Sequence, residues 1–176
     1  YVINDNFLGA KLAVKHLTEL KHTRIGLILG SPRITSVQDR YAGYLSAMEE
    51  AGISADPELI GYREILNPDA GEKIAEKLLS ITPRPSAILA YCDILAMGVY
   101  KAAFKMGLAI PEDLSIIGYD DIFFASCFET PLTTVKQPAY EMGQTACRII
   151  IERIEEKGGG QVLKDLPRKQ VVVEPQ

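Results

Sequence analysis

The chain has 176 residues, 47% of them hydrophobic and 24% charged, the mix of a folded domain with one full core. A net charge of −4 speaks against a nucleic-acid footprint in this chain, and no apolar run reaches membrane-spanning length. The three cysteines, Cys92, Cys127 and Cys147, show neither C-x-x-C nor zinc spacing, and read as reduced, buried thiols of a cytoplasmic protein.

Tyr1–Ile3 reads as a short extended segment. Asn4, Asp5 and Asn6 are good helix caps, and Leu8, Leu12, Leu17 and Leu20 follow at near-helical spacing, so a helix is expected over about 6–20. Arg24–Leu29 reads as a buried strand ended by Gly30-Ser31-Pro32. Ser36 then caps a helix lined by Val37, Tyr41, Leu45 and Met48 and stopped by Gly52. Leu59–Leu66 is a weaker strand, and Asn67-Pro68-Asp69 opens a helix carrying Ile74 and Leu78. Ser86–Tyr91 is a further buried strand. The helix after it carries Leu95, Val99, Ala103 and Met106 and ends at Gly107. Ser115–Tyr119 is a strand that stops at Asp120-Asp121. After the aromatic turn at Phe123-Phe124 comes a β-rich run, Leu132–Lys136. The tail predicts a long amphipathic helix over Tyr140–Lys157, with Met142, Ala146, Ile149, Ile150 and Ile154, a flexible break at Gly158–Gly160 and a last strand at Lys169–Val173.

Strands alternating with helices over short connections predict an α/β fold, a doubly wound parallel sheet with flanking helices on both faces. A parallel sheet collects the loops after its strands on one edge. Gly30–Arg40, Leu66–Asp69, Cys92-Asp93 and Asp120-Asp121 therefore converge on one cleft.

Several residues there could meet a ligand. The Arg40 guanidinium could donate two hydrogen bonds to vicinal hydroxyls or a carboxylate, or be a solvated helix arginine. Asp120 could accept from sugar hydroxyls, or cap the turn at Asp121–Ala125. Asp93 is expected mainly to cap its helix. Ser36 and Leu66 offer a hydroxyl and an apolar wall, with capping and packing as the alternatives. The cleft thiol of Cys92 is a weak donor and acceptor. His22 lies at the amino edge and His16 on a helix. Both are expected at the surface, away from the cleft, so no histidine could activate a serine or cysteine there. Neither G-x-G-x-x-G nor G-x-x-x-x-G-K-[ST] occurs and no metal-ligand cluster is visible, so no cofactor is expected.

The motifs carry a resemblance. Gly118-Tyr119-Asp120-Asp121 followed by Pro131-Leu132-Thr133-Thr134-Val135-x-Gln137-Pro138 resembles the effector-binding domain of the LacI/GalR family of bacterial transcription regulators. Asp5-Asn6-x-x-Gly9-Ala10, Asp39-Arg40-Tyr41-Ala42-Gly43-Tyr44, Asp93-x-x-Ala96-x-Gly98 and Gly107-Leu108-x-x-Pro111-x-Asp113-Leu114-Ser115 match further family patterns in order and spacing. The resemblance implies a periplasmic-binding-protein-like fold. On this reading 1–5 is a crossover strand and 6–131 the C-terminal effector-binding subdomain. Residues 132–176 are then a crossover strand, a tail helix and a return strand belonging to the other subdomain.

It also implies a small polar effector, a sugar or sugar derivative, that alters the angle between subdomains. In a homodimer that change repositions amino-terminal helix-turn-helix heads on operator DNA. No such head is visible in this chain, so specific DNA binding is not expected of it alone, and with half the cleft missing ligand affinity should be weak. The tail helix exposes an apolar stripe, expected to be covered by a second copy of the chain or else to be poorly ordered. Two features depart from the family: Cys92 where asparagine is usual, and Val171-Val172-Val173-Glu174 where the last strand often ends in arginine. A periplasmic sugar-binding receptor and a small Rossmann-like enzyme are the competing readings. An Asp93–Asp120 glycosidase pair is a remote one.

Overall fold

The computed structural model of the chain describes residues 1–156 and 170–175. Five parallel strands form the main sheet in the order β3-β2-β4-β5-β6: β2 Ile25–Leu29, β3 Ile60–Tyr62, β4 Ala87–Ala90, β5 Ser115–Asp120 and β6 Thr133–Lys136. A separate parallel pair joins β1 (Val2–Asn4) to β7 (Val171–Val173). Five α-helices lie among the described residues: α1 Asn6–Glu19, α2 Thr35–Glu50, α3 Pro68–Leu79, α4 Asp93–Lys105 and α5 Ala139–Glu156.

The apolar runs read as buried strands are buried on both faces. Ile25, Leu27, Leu29 and Leu89 pack toward α1 and α2, while Ile28, Ile88, Ala90 and Ile116 pack toward α3 and α4. Each such side chain contributes about 1.5–3 kcal/mol by leaving water. The sheet is thus doubly wound. The chain passes from β2 outward to β3, then crosses back to β4 on the other side. The topological switch point lies between the carboxyl ends of β2 and β4, where sheets of this kind open a crevice.

The helix pairs approach closely because small residues face each other. A Cβ on Gly98 of α4 would overlap the backbone of Pro68 and Glu72 in α3. The α1 face is likewise built from Gly9, Ala10, Ala13, Val14 and Leu17, while Leu12 and Leu20 are exposed. The leucine spacing found this helix but not its buried face.

Other expectations need correction. Of Leu59–Leu66 only Ile60–Tyr62 pairs, because β3 is an edge strand bonded to β2 alone. The cap of α2 is Ile34, with no side-chain hydrogen bond, and Ser36 lies inside the helix. Leu132–Lys136 supplies β6, the fifth strand of the main sheet, before the chain leaves it. Cys92 is buried, but Cys127 and Cys147 are exposed. Gly158–Gly160 and Lys169 lie outside the described residues. His22 does lie at the amino edge but is partly buried. Its Nδ1 is 2.8 Å from Ser86 Oγ and its Nε2 3.0 Å from Ser115 Oγ, so it bridges the starts of β4 and β5. His16 is exposed, as expected.

Two predictions follow from this packing. Gly98→Val is expected to destabilise the chain by about 3 kcal/mol in urea denaturation, because the contact it invades is helix backbone. Burial holds the His22 imidazole below its ordinary value. A lowered folded-state value means that protonation favours the unfolded chain. The His22 contribution is therefore complete above about pH 6.5 and is lost as the pH falls below it. Melting temperature followed from pH 8 to pH 5 should fall more steeply in the parent than in His22→Gln; parallel curves would contradict this.

Candidate functional site

The loops after the main-sheet strands and strand β1 enclose a cleft of about 490 Å³. Ser36 and Arg40 reach it from α2, Leu66 from the loop after β3, Tyr91 and Cys92 from the loop after β4, Ile94 from the first turn of α4, Asp120 from β5 and Gln137 from beyond β6. Val2, Ile3, Asn4, Asn6 and Met142 line it from the segment around β1 and from α5. A larger hollow of about 730 Å³ lies between Pro32, Tyr62, Ile65 and Lys73. Its charged walls, Arg63, Glu64, Asp69 and Lys73, are all exposed and none is fixed by burial. The smaller cleft is the candidate site.

Arg40 is its centre. The residue is only 5% exposed. Its Nε donates to Asn6 Oδ1 at 2.9 Å and its Nη1 to the Tyr91 carbonyl. The guanidinium carbon stands 3.4 Å from the centre of the Tyr119 ring and 4.3 Å from that of Tyr91, two cation–π contacts. Nη2 lies 3.8 Å from Asp120 Oδ1. This is a buried, ring-bounded cation with one edge toward the cleft, not a solvated helix arginine.

Asp120 is held in an unusual backbone conformation, φ +114°, and Asp121 follows at φ +55°. Gln137 Nε2 donates to Asp120 Oδ1 at 2.5 Å. Burial raises the Asp120 carboxyl above the ordinary carboxylate value, while the Gln137 bond and Arg40 pull it back. The arrangement presents a carboxylate beside a guanidinium edge, able to accept from and donate to neighbouring hydroxyls.

The structure brings five of the six expected residues to the cleft: Arg40, Asp120, Ser36, Leu66 and Cys92. Ser36 Oγ is 3.0 Å from the Tyr91 hydroxyl. Leu66 is an exposed apolar wall. Burial pushes the Cys92 thiol up, so it stays protonated and serves as apolar lining. Asp93 is not among the lining residues and is 1% exposed. It also does not cap α4, whose cap position is Cys92. Its carboxylate accepts from Thr134 Oγ1 at 2.6 Å and Ile122 N at 2.9 Å, fastening the turn after Asp120 to β6. Among the described residues no group of His, Cys, Asp and Glu could hold a metal, and no helix is long and apolar enough to cross a membrane.

Sequence reasoning missed Asn4, Asn6, Tyr91, Tyr119 and Gln137. In the sequence the two asparagines look like helix caps, but Asp5 alone caps α1, accepting from Leu8 N at 2.8 Å. Asn4 Nδ2 instead donates to the Tyr119 hydroxyl at 3.0 Å, across 115 residues. A tyrosine near a strand end gives no sequence signal that separates a core ring from a cation-stacking one.

A family model described as a periplasmic binding protein-like domain matches residues 14–173. The HTH-type transcriptional repressor PurR of Haemophilus influenzae is 39% identical over 160 residues, covering 90% of this chain and 47% of that protein. The HTH-type transcriptional repressor CytR of Escherichia coli K12 is 37% identical over 163 residues, covering 92% and 48%. The chain spans about half the length of the curated relatives it matches. The solved complex of the transcriptional regulator CelR with cellobiose superposes with a TM-score of 0.89 at 30% identity, covering 100% of this chain and 51% of that one. The chain belongs to the periplasmic binding protein-like domain family.

Proposed function

We propose that this chain is the effector-sensing part of a LacI/GalR-type transcription regulator, binding a small polar metabolite of the sugar class in the Arg40–Asp120 cleft. The observation that carries the reading is the convergence of the strand-end loops on a buried guanidinium beside a half-buried carboxylate near the switch point of the sheet. The regulator works in the cytoplasm. The net charge of −4 leaves operator recognition to a helix-turn-helix segment of the kind named in the relatives, not to this chain. The effector acts through its differential affinity for two arrangements of the subdomains. Residues 6–136, with β6 as the fifth strand of the sheet, form the C-terminal effector-binding subdomain. β1, α5 and β7 are the beginning of the other one: β1 pairs with β7 and α5 packs on β1. A sugar-binding transport receptor would share this fold, but its likeness to named repressors favours the regulator.

No catalytic role is assigned to the cleft. Asp93, half of the imagined glycosidase pair, is consumed by Thr134 and Ile122.

Titration calorimetry with cellobiose and ribose at millimolar concentrations tests the binding site. Arg40→Met is expected to abolish the binding heat. It should also lower the unfolding free energy by about 2 kcal/mol, because Asn6 Oδ1 and the Tyr91 carbonyl lose their donor and the half-buried Asp120 loses its cation. Unaltered binding in this variant would place the site elsewhere. The exposed Tyr140, Ile150, Ile151 and Ile154 of α5 are proposed to be covered in a homodimer. Sedimentation velocity should show a dimer that Ile150→Glu with Ile154→Glu dissociates, and a monomeric parent would contradict it.

A further inference from the structure

The outer side of β3 is an open strand edge. β3 ends the main sheet and pairs with β2 alone among the described residues. Successive strand residues turn their backbone groups to opposite edges and their side chains to opposite faces. Arg63 N donates to Leu29 O at 2.9 Å, toward β2, so Tyr62 turns its N–H and C=O outward. The side chains sort in the same way. A Cβ on Gly61 would overlap Ile74 of α3, so Gly61 and Arg63 share the α3 face. Tyr62 takes the other face, where it is 43% exposed and neighbours Tyr41 of α2.

The α3 face beside this edge is positively charged. Lys73 and Lys77 are one helical turn apart on α3, and both are exposed. With Arg63 they line a hollow of about 650 Å³, and Arg63 and Lys73 continue into the hollow of about 730 Å³ next to it. Among the described residues none of these three side chains makes an ion pair. Two acids on the same walls are already engaged: Asp69 is 2.9 Å from Lys101 and Glu76 is 3.6 Å from Lys105. Glu64 is the acid left over there.

Charge and strand geometry together choose the occupant. A second copy of the chain docking β3 against β3 would set these cations against the same cations, and like charges across a strand pair repel. An acidic strand meets no such penalty. Its backbone would bond to the outward groups of Tyr62, and every second side chain would reach Arg63, Lys73 and Lys77. The side chains in between would fall beside Tyr62 and Tyr41. We propose that the β3 edge docks an extended segment of another protein in which acidic and apolar residues alternate, added as a further strand of the main sheet. This surface is separate from the Arg40–Asp120 cleft and needs no ligand there.

The test titrates the whole chain into a fluorescein-labelled peptide of alternating Glu and Val, followed by anisotropy. Matched peptides alternate Lys with Val, or Glu with Pro. The Glu–Val peptide should bind at least tenfold tighter than either. Raising the ionic strength from about 0.05 M to about 0.3 M should weaken it at least threefold. Lys73→Glu with Lys77→Glu should weaken it tenfold or more. Tyr62→Pro removes the outward N–H and spares the bonds to β2, a place where an edge strand tolerates proline, and should weaken it about fivefold. Should that variant fail to fold, slowed hydrogen exchange of the Tyr62 amide on adding the peptide reports the same bond in the parent. Three results overturn the proposal. One is a Glu–Val peptide that does not bind, which leaves the cations as guards of a bare edge. Another is equal binding of the Glu–Pro peptide, which needs charge but no strand. The third is unchanged binding in the double lysine variant.

Discussion

The Arg40 guanidinium is the constraint on which the rest of the cleft depends. Taking such a charge out of water costs several kcal/mol unless hydrogen bonds and counter-charges replace the lost hydration. Here the replacements come from Asn6 at the start of α1, Tyr91 after β4, and Tyr119 and Asp120 in β5. These segments are far apart in sequence and meet only around this group. Moving any one of them would leave the cation short of a partner. The buried charge thereby sets the relative positions of the loops that line the cleft, and does so before any ligand arrives.

Asp120 meets that demand at a local cost. Neither Asp120 nor Asp121 is glycine, yet both have positive φ, a conformation that costs on the order of 1–3 kcal/mol per residue. Contacts on either side hold them. Gln137 binds the Asp120 carboxylate, and Thr134 Oγ1 accepts from Asp121 N at 3.3 Å. Asp93 anchors Ile122 immediately afterward. Buried among these donors, Asp93 is a positioning residue: it fixes the turn that aims Asp120, and its own carboxyl is raised chiefly by burial.

Much of the fold was legible in the sequence, because a doubly buried strand leaves an unbroken apolar run. β2, β4 and β5 were placed within a residue or so of their ends on that signal. β3 was overextended because Leu59–Leu66 is apolar enough for a strand, while pairing depends on a neighbour's length, which no local pattern carries. The leucine spacing predicts the α1 helix but does not mark its buried face, because close helix contact selects glycine and alanine. Asp93 was read as a cap because an acid at a helix start looks the same whether it bonds its own helix or a strand 41 residues away. The site shows the same limit. Arg40 and Asp120 stood out through charge and motif, but Asn4, Tyr91 and Tyr119 acquire their roles only through partners distant in the chain.

The cleft is also tied to the part of the chain that leaves the main sheet. Gln137, bonded to Asp120, is followed by Pro138 and then by α5, while Asn4, bonded to Tyr119, ends the strand that pairs with β7. Two of the polar groups around Arg40 are therefore held by residues at the exits toward β1 and α5. A ligand that donates a hydrogen bond to Asp120 would compete with Gln137 for the same oxygens, and one that engages Asn4 would pull on β1. Each exit is tied to the cleft through a single hydrogen bond, Gln137 to Asp120 and Asn4 to Tyr119. Coupling of this kind depends on differential contact with two arrangements of those exits. The contacts that would differ are the ones that now hold Asp120 and Asn4 in place.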